Sequence, residues 1–172
     1  RRDGFSPIGG YAVLGDGRTV ALVAEDGSID WFPASRLDGH PTFAALLDPD
    51  SGGAIGLCPT EPFTVQRDYV SGSNVVRSVF RTESGAVRIT DSLNVGRAGR
   101  LPWTELARRV EVLEGSVALR WSVAPGRAIG PARPWTWMHD NCPMLEVADD
   151  HLTVRTTGLG APVVSGHEVH GE

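Results

Sequence analysis

The sequence lacks the features that mark membrane proteins and nucleic-acid-binding proteins. No apolar run approaches the roughly 20 residues that a membrane-spanning helix requires. Lysine is absent, and the sixteen basic residues, all arginine, form no cluster against a net charge of -5. Because phosphate binding requires a basic face, this charge pattern argues against a nucleic-acid partner.

Cysteine is also scarce, and the sequence shows no leader for secretion. Cys58 and Cys142 lie far apart and each precedes a proline. A disulfide between them remains open, but two free thiols in a reducing compartment are the favoured interpretation. The chain begins without methionine and has no charged-then-apolar segment, although a trimmed N-terminus could have carried a signal peptide. We therefore expect a cytoplasmic protein.

The composition that remains is that of a folded β-rich domain. The chain is 41% hydrophobic and 22% charged, which argues against disorder. Short apolar runs recur about every 8–12 residues between turn signals, a spacing typical of a β-sandwich. We predict an all-β fold, an antiparallel β-sandwich, as one domain at 11–172 after an N-terminal segment at 1–10.

The first half of the chain predicts a meander followed by four further strands. An Asp-Gly pair between β-rich runs is a strong turn signal, and Asp26-Gly27 separates two of the first three strands. The predicted strands lie at 11–14, 19–24, 28–32, 53–58, 63–70, 74–82 and 86–93. One short helix is predicted at 43–47, ended by Asp48 before Pro49.

The second half predicts two hairpins and an open end. Residues 106–113 and 117–123 alternate apolar and polar positions around Glu114-Gly115, and 144–148 pairs with 152–156 around Asp149-Asp150. Residues 125–143 predict a second organised loop. The extended pattern after 158 ends without a closing element, which predicts an excised piece of a longer protein and self-association through an open sheet edge.

The stretch at 27–48 is the first candidate functional site, because it runs from a strand through a polar loop into an apolar turn. Loops of this kind carry function more often than cores do. Trp31, Arg36, Asp38 and His40 are its candidate residues, at the rim of an active site or in an interface. Acid–base chemistry is one interpretation, but Asp38 before Gly39 is typical of a turn. Arg36 and Asp38 are predicted to form an ion pair that fixes the loop.

A second candidate cluster contains Trp135 and Trp137, after Pro134 and before Met138 and His139. Flat aromatic rings can cover the apolar face of a sugar, and exposed tryptophans can equally anchor a protein interface. A place in the hydrophobic core is the third interpretation. The residues alone leave all three open.

No catalytic, metal or cofactor site is predicted. His167 and His170 lack the spacing of a helical zinc motif. The glycine pairs lack the strand-to-helix setting of a phosphate-binding loop, and no nucleophile elbow occurs.

One known pattern resembles much of the chain. It is the N-terminal domain of bacterial trehalases and glucoamylases of glycoside hydrolase family 15. The resemblance is carried in order by YAVLGDGRT at 11–19, ALV at 21–23, DGSIDW at 26–31, FAALLD at 43–48, DYV at 68–70, NVV at 74–76, FRT at 80–82, VRITD at 87–91 and LARRVE at 106–111. Where the family commonly reads PRFDS, residues 35–39 keep Arg36 and Asp38.

The resemblance implies a β-sandwich of the supersandwich type that precedes a catalytic barrel of paired helices. In such enzymes two barrel carboxylates cleave an α-glucosidic bond with inversion. The parent protein would be the hydrolase, and this fragment would not be catalytic by itself. Its partners would be the barrel on the same chain and, indirectly, an α-glucoside. Trehalose, maltooligosaccharide and dextrin are not distinguished.

Three hypotheses follow for the fragment. It packs on the barrel and lends the loop at 31–43 to the rim of the active site. Alternatively, it is a carbohydrate-binding module that uses Trp135 and Trp137. The third hypothesis is a structural docking domain that never approaches sugar.

Overall fold

Nearly all of the regular secondary structure consists of antiparallel strands. The computed structural model of the chain describes residues 1–95, 101–127, 135–137, 142–147 and 150–172. Across these residues, no helix is long and apolar enough to cross a membrane. The all-β sandwich predicted from the sequence is confirmed.

The predicted N-terminal meander is confirmed. It consists of β1 at Ala12–Gly15, β2 at Val20–Val23 and β3 at Ile29–Trp31, paired antiparallel in that order. In the first turn Asp16 Oδ1 accepts hydrogen bonds from the backbone N–H groups of Arg18 at 2.8 Å and Thr19 at 2.9 Å. An aspartate that binds the backbone two and three residues on is a usual turn device.

The remaining strands follow in sequence and divide into three sheets. They are β4 Gly53–Pro59, β5 Thr64–Tyr69, β6 Val76–Arg81, β7 Gly85–Leu93, β8 Leu106–Gly115, β9 Leu119–Pro125, β10 Thr136–Trp137, β11 Pro143–Val147, β12 Asp150–Thr153, β13 Val163–Ser165 and β14 Glu168–Gly171. The seven-stranded sheet has the order β1-β2-β3-β4-β9-β14-β13, the four-stranded sheet β5-β6-β7-β8 and the three-stranded sheet β10-β11-β12.

The predicted hairpin of 106–113 with 117–123 is wrong, although both strands exist. β8 pairs with β7, whereas β9 pairs with β4 and β14 in the opposite sheet. Residues 116–118 therefore cross from one sheet to the other. Alternating apolar positions are required equally by a hairpin and by two strands that face each other across a core, so the pattern does not decide the pairing.

The extended pattern after residue 158 forms two strands of the seven-stranded sheet, β13 and β14. β14 lies beside β9 with Val169 opposite Val123, and the side chain of Val169 is fully buried. The last described residues thus extend the seven-stranded sheet and leave the three-residue strand β13 at its edge. Self-association through this edge stays a prediction.

The later hairpin is confirmed, whereas the predicted short helix is not. β11 pairs with β12 as expected. At 43–47 the chain forms only one turn, in which Leu47 N–H and Asp48 N–H both donate to Ala44 O. Ala44 N–H donates to Gly52 O at 2.7 Å, directly before β4. This bond holds the segment beside the start of β4, where it does not form a helix. The predicted loop at 125–143 lies largely outside the described residues.

Arginines join the two larger sheets around an apolar core. Phe43, Phe80, Leu14, Ile29 and Ile89 are among the largest fully buried side chains. Arg108 on β8 donates to Asp91 on β7 and to Gly27 O, in the turn before β3 of the opposite sheet. The fold therefore combines hydrophobic packing with buried charge at the contact between the sheets.

Candidate functional site

The loop at 33–42 is closed at its base by two phenylalanines. Phe32 N–H donates to Phe43 O at 2.9 Å, and Phe43 N–H donates to Phe32 O at 3.3 Å. The two buried rings are stacked with their centroids 6.3 Å apart. This bridge gives the loop a fixed base in the core, so its outer residues project from a rigid support.

Arg36 and Asp38 form the predicted ion pair at the outer part of the loop. Arg36 Nε and Nη2 each lie 2.9 Å from an oxygen of Asp38, and both side chains are exposed. The hydrogen bonds from Arg36 hold the pKa of Asp38 below its ordinary value. An aspartate that stays ionised in this way is unsuited to act as a general acid.

Neighbouring elements also hold the loop. Leu37 N–H donates to Arg18 O at 3.0 Å, Thr19 Oγ1 donates to Pro33 O, and Gly126 N–H donates to Thr42 O at 2.9 Å. The first β-turn and the segment after β9 therefore support the loop from two sides.

The other residues predicted for this loop occupy different settings. His40 is exposed on the same loop as Arg36 and Asp38. Trp31 is half-buried on β3, opposite Leu22 and below the phenylalanine bridge. The structure thus brings three of the four residues into one exposed loop and leaves Trp31 at its base.

Trp135, the first residue of the second candidate cluster, lies in the core. Its indole is buried, and Nε1 donates to His167 O at 2.9 Å. The ring therefore presents no open face on which a sugar could stack, which favours the core interpretation for this residue. Trp137 lies on β10, but its side chain is outside the described part of the structure, as are Met138 and His139.

Sequence reasoning missed a buried carboxylate network around Asp30. Asp30 is fully buried, and its oxygens accept hydrogen bonds from Arg1 Nη1 at 2.9 Å, Tyr11 Oη at 2.6 Å and Ser28 Oγ. Arg1 also binds Asp26 at 2.7 Å. The partners Arg1 and Tyr11 lie far from Asp30 in the sequence, so no local motif could have shown the network.

The network fixes the charge states of its members. Burial alone would raise the pKa of Asp30, but the hydrogen bonds from Arg1, Ser28 and Tyr11 outweigh it and hold the pKa below its ordinary value. Burial, together with the hydrogen bond to Asp30 and its negative charge, raises the pKa of Tyr11 to about 12. Asp30 therefore stays ionised and Tyr11 stays neutral.

Comparison with known proteins assigns the family. A family model described as "Trehalase-like, N-terminal" matches residues 3–164. The chain belongs to this family.

Curated relatives of this trehalase-like N-terminal domain are trehalases. The Mycobacterium tuberculosis trehalase is 30% identical over 112 residues, which are 63% of this chain and 15% of that protein. Trehalase 2 of Sulfolobus acidocaldarius is 40% identical over 70 residues, 41% of this chain and 12% of that protein. The Thermoplasma volcanium trehalase is 26% identical over 136 residues, 77% of this chain and 22% of that protein. No solved structure matches the chain at a significant level.

The chain therefore spans less than a quarter of the length of each of these three relatives. In the described part of this trehalase-like N-terminal domain, the two buried aspartates, Asp30 and Asp91, are each paired with an arginine. Inverting hydrolysis of a glycoside requires one carboxyl group as acid and another that activates water. Neither buried aspartate is placed to do so, because both are engaged as hydrogen-bond acceptors.

A groove of about 710 Å³ runs beside the Asp30 network. Its lining includes Asp26, Ala54, Gly56, Cys58 and Arg120. Asp26 is held by Arg1, and within the described residues no group of three or more His, Cys, Asp or Glu side chains could hold a metal ion. Arg1 and Asp30 also line the groove, so the buried network forms part of its wall.

We expect the Asp30 network to make the free energy of unfolding depend on pH in the acid range. A carboxylate whose folded pKa lies below its unfolded value of about 3.9 stabilises the fold above that pH, and the contribution is lost as pH falls through the folded pKa. The difference in free energy of unfolding between wild type and Asp30→Asn should therefore be largest at neutral pH and shrink below about pH 4.

Urea unfolding at pH 7, 5, 4 and 3 measures this difference. Asp68→Asn is the control, because Asp68 pairs with Arg77 at an exposed position. A wild-type to Asp30→Asn difference that stays constant from pH 7 to pH 3 would contradict the prediction.

Proposed function

We propose that this domain is the non-catalytic N-terminal part of an enzyme that hydrolyses trehalose or a related α-glucoside. In this proposal it packs on a catalytic barrel of the same polypeptide and lends the loop at 33–42 to the rim of the active site. The observation that carries the proposal is the rigid, exposed Arg36–Asp38 pair above the Phe32–Phe43 bridge.

The names and lengths of the relatives support the first part of the proposal. Those relatives are trehalases, which favours trehalose over maltooligosaccharide or dextrin as the substrate to test first. The matched region is 15% of one relative and 22% of another, so most of each enzyme lies outside it. In this proposal the catalytic residues lie in that larger part of the enzyme. This domain then supports the catalytic domain and contributes a loop to the rim of its active site.

The geometry of the loop supports the second part. An exposed ion pair contributes about 0–1 kcal/mol to stability, so stability alone gives little reason for the bidentate Arg36–Asp38 geometry. The pair does fix the direction of two hydrogen-bonding side chains. A group that is ordered before it meets its partner loses less entropy on binding, which suits a loop that completes another domain's pocket.

The test is a double substitution, Arg36→Ala with Asp38→Ala, in the full-length protein that carries this domain. We expect kcat/KM for trehalose to fall about 10-fold, which corresponds to about 1.4 kcal/mol of lost transition-state stabilisation. The midpoint of thermal unfolding should stay within about 2 °C of wild type, because the pair is exposed.

The matched control is Asp68→Ala with Arg77→Ala, which removes an exposed ion pair from β5 and β6. It should leave kcat/KM unchanged. The 172-residue chain assayed alone should release no glucose from trehalose or maltose. A loop variant with wild-type kinetics would contradict the rim role and favour a purely structural docking domain, and glucose release by the chain alone would contradict the non-catalytic role.

A further inference from the structure

Three chain connections meet at one end of the sandwich around Arg18. Arg18 Nη1 donates to Leu101 O at 3.2 Å, and Arg18 O accepts the backbone N–H of Leu37 at 3.0 Å. Asp16 Oδ1 holds the backbone of Arg18 at 2.8 Å. We call this region, made of residues 16–18, 33–42 and 101–105, the three-loop end.

Large apolar side chains are exposed at the three-loop end and directly beside it. The exposed fraction is 58% for Leu37, 57% for Trp103 and 61% for Val95. Asn94 N–H donates to Glu105 O at 2.8 Å, which continues the β7–β8 pairing and places Val95 next to the segment that carries Trp103. Exposed apolar residues that occur singly need no explanation, but three on segments that hydrogen bonds join at one end of the sandwich, one of them a tryptophan, indicate an interaction surface.

Trp103 is held in a defined orientation. Its Nε1 lies 3.3 Å from Glu105 Oε2, and the other oxygen of Glu105 accepts a hydrogen bond from Asn94. The polar edge of the indole is thus satisfied within the domain, while more than half of the side chain is open to solvent. A pre-ordered tryptophan can be buried by a partner at low entropic cost, as the anchoring residues of protein interfaces commonly are.

We propose that Trp103 anchors the interface between this domain and the catalytic domain of the same polypeptide, with Leu37 and Val95 packed around it. The inference rests on the proposed function, because it requires that catalytic domain. The trehalases that match this chain extend far beyond the matched region, so a large surface of the same chain is available to cover the patch. Leu37 lies between Arg36 and Asp38, so docking through Leu37 would bring that ion pair to the partner.

A protein surface fits this patch better than a sugar does. Leu37 and Val95 are aliphatic, so their burial stabilises a complex only when apolar groups cover them. A sugar platform would need flat rings with hydrogen-bonding groups around them, and the Nε1 of Trp103 is already bound to Glu105. Sugar binding is therefore the alternative that the experiment must separate.

The first measurement is the rate at which hydroxyl radicals oxidise Trp103 in the full-length protein, read by mass spectrometry against free N-acetyltryptophanamide. A side chain covered by the catalytic domain should react at least about 10-fold more slowly than the free compound. A rate about half that of the free compound, as 57% exposure implies, overturns the proposal. Protection that appears only when trehalose or maltotriose is added also overturns it and indicates a sugar site.

The second measurement compares Trp103→Ala with Val112→Ala in the same full-length protein. Val112 is 62% exposed on β8, away from the three-loop end. We expect backbone hydrogen exchange in the peptides that contain Leu37 and Val95 to rise about 10-fold in Trp103→Ala and to stay unchanged in Val112→Ala. Equal exchange in both variants overturns the proposal. Wild-type kcat/KM in the Arg36→Ala, Asp38→Ala variant would instead count against the rim role. Failure of the Trp103 interface and failure of the rim role are therefore distinguishable.

Discussion

Replacement of Arg108 by alanine is expected to lower the free energy of unfolding by about 3–5 kcal/mol. Arg108 Nε and Nη2 bind the two oxygens of Asp91 at 2.8 and 3.2 Å. The Asp91 side chain is only 1% exposed, so the substitution leaves a carboxylate buried without its counter-charge. Breaking a buried ion pair from one side is costly because solvent cannot replace the lost partner.

The same guanidinium also bonds to the opposite sheet. Arg108 Nη2 donates to Gly27 O at 2.7 Å, and Nη1 donates to Ile55 O at 3.4 Å. Removal of Arg108 therefore takes donors from a backbone carbonyl of β4 and from one in the turn before β3, as well as from Asp91. A buried acceptor left without a donor adds its own desolvation cost.

Urea unfolding of the 172-residue chain measures the effect, with Arg36→Ala as the matched control. Both substitutions remove an arginine from a bidentate pair with aspartate, but Arg36 and Asp38 are exposed to solvent, so Arg36→Ala should change the free energy of unfolding little. Asp91→Ala combined with Arg108→Ala should cost less than the sum of the single changes, because the double variant no longer buries an unpaired charge. Equal effects of Arg108→Ala and Arg36→Ala would contradict the prediction.

The strands could be predicted from the sequence much better than their pairing. The run from Val87 to Leu93 alternates inward and outward residues, and β7 has that pattern. The alternation of apolar and polar residues at 106–113 and 117–123 is equally consistent with a hairpin and with strands in opposite sheets. The crossing at 116–118 depends on β9 pairing with β4, which lies some sixty residues earlier in the chain, and local periodicity carries no information on such contacts.

The candidate site could also be predicted only in part. Arg36 and Asp38 are two residues apart, so their pair was predictable from spacing. The arginine partners of Asp30 and Asp91 lie 29 and 17 residues away, and only the folded chain brings them together. Composition also does not distinguish an exposed tryptophan from a buried one, so it indicated Trp135, which lies in the core, and passed over Trp103.

Replacement of Gly27 by alanine is the second substitution for which we expect a large loss of stability, about 2–5 kcal/mol. Gly27 has a φ of +82°, a conformation that costs other residues roughly 1–2 kcal/mol. A Cβ atom at this position would lie 2.3 Å from Leu57 O and 3.3 Å from the ring of Phe80. The backbone of β4 and the core would have to move, and overpacking of this kind costs about 1–3 kcal/mol more.

Gly72→Ala separates the two contributions. Gly72 has a similar φ of +71°, but nothing lies within 4 Å of a Cβ atom built on it. It should therefore lose only the conformational part, roughly 1–2 kcal/mol, in the same urea experiment. Equal losses at the two positions would show that β4 and Phe80 yield without cost and would contradict the prediction. A larger loss at Gly27 means that the Asp26-Gly27 turn is required for close packing between the sheets, including the Arg108 contact to Gly27 O, as well as for reversal of the chain.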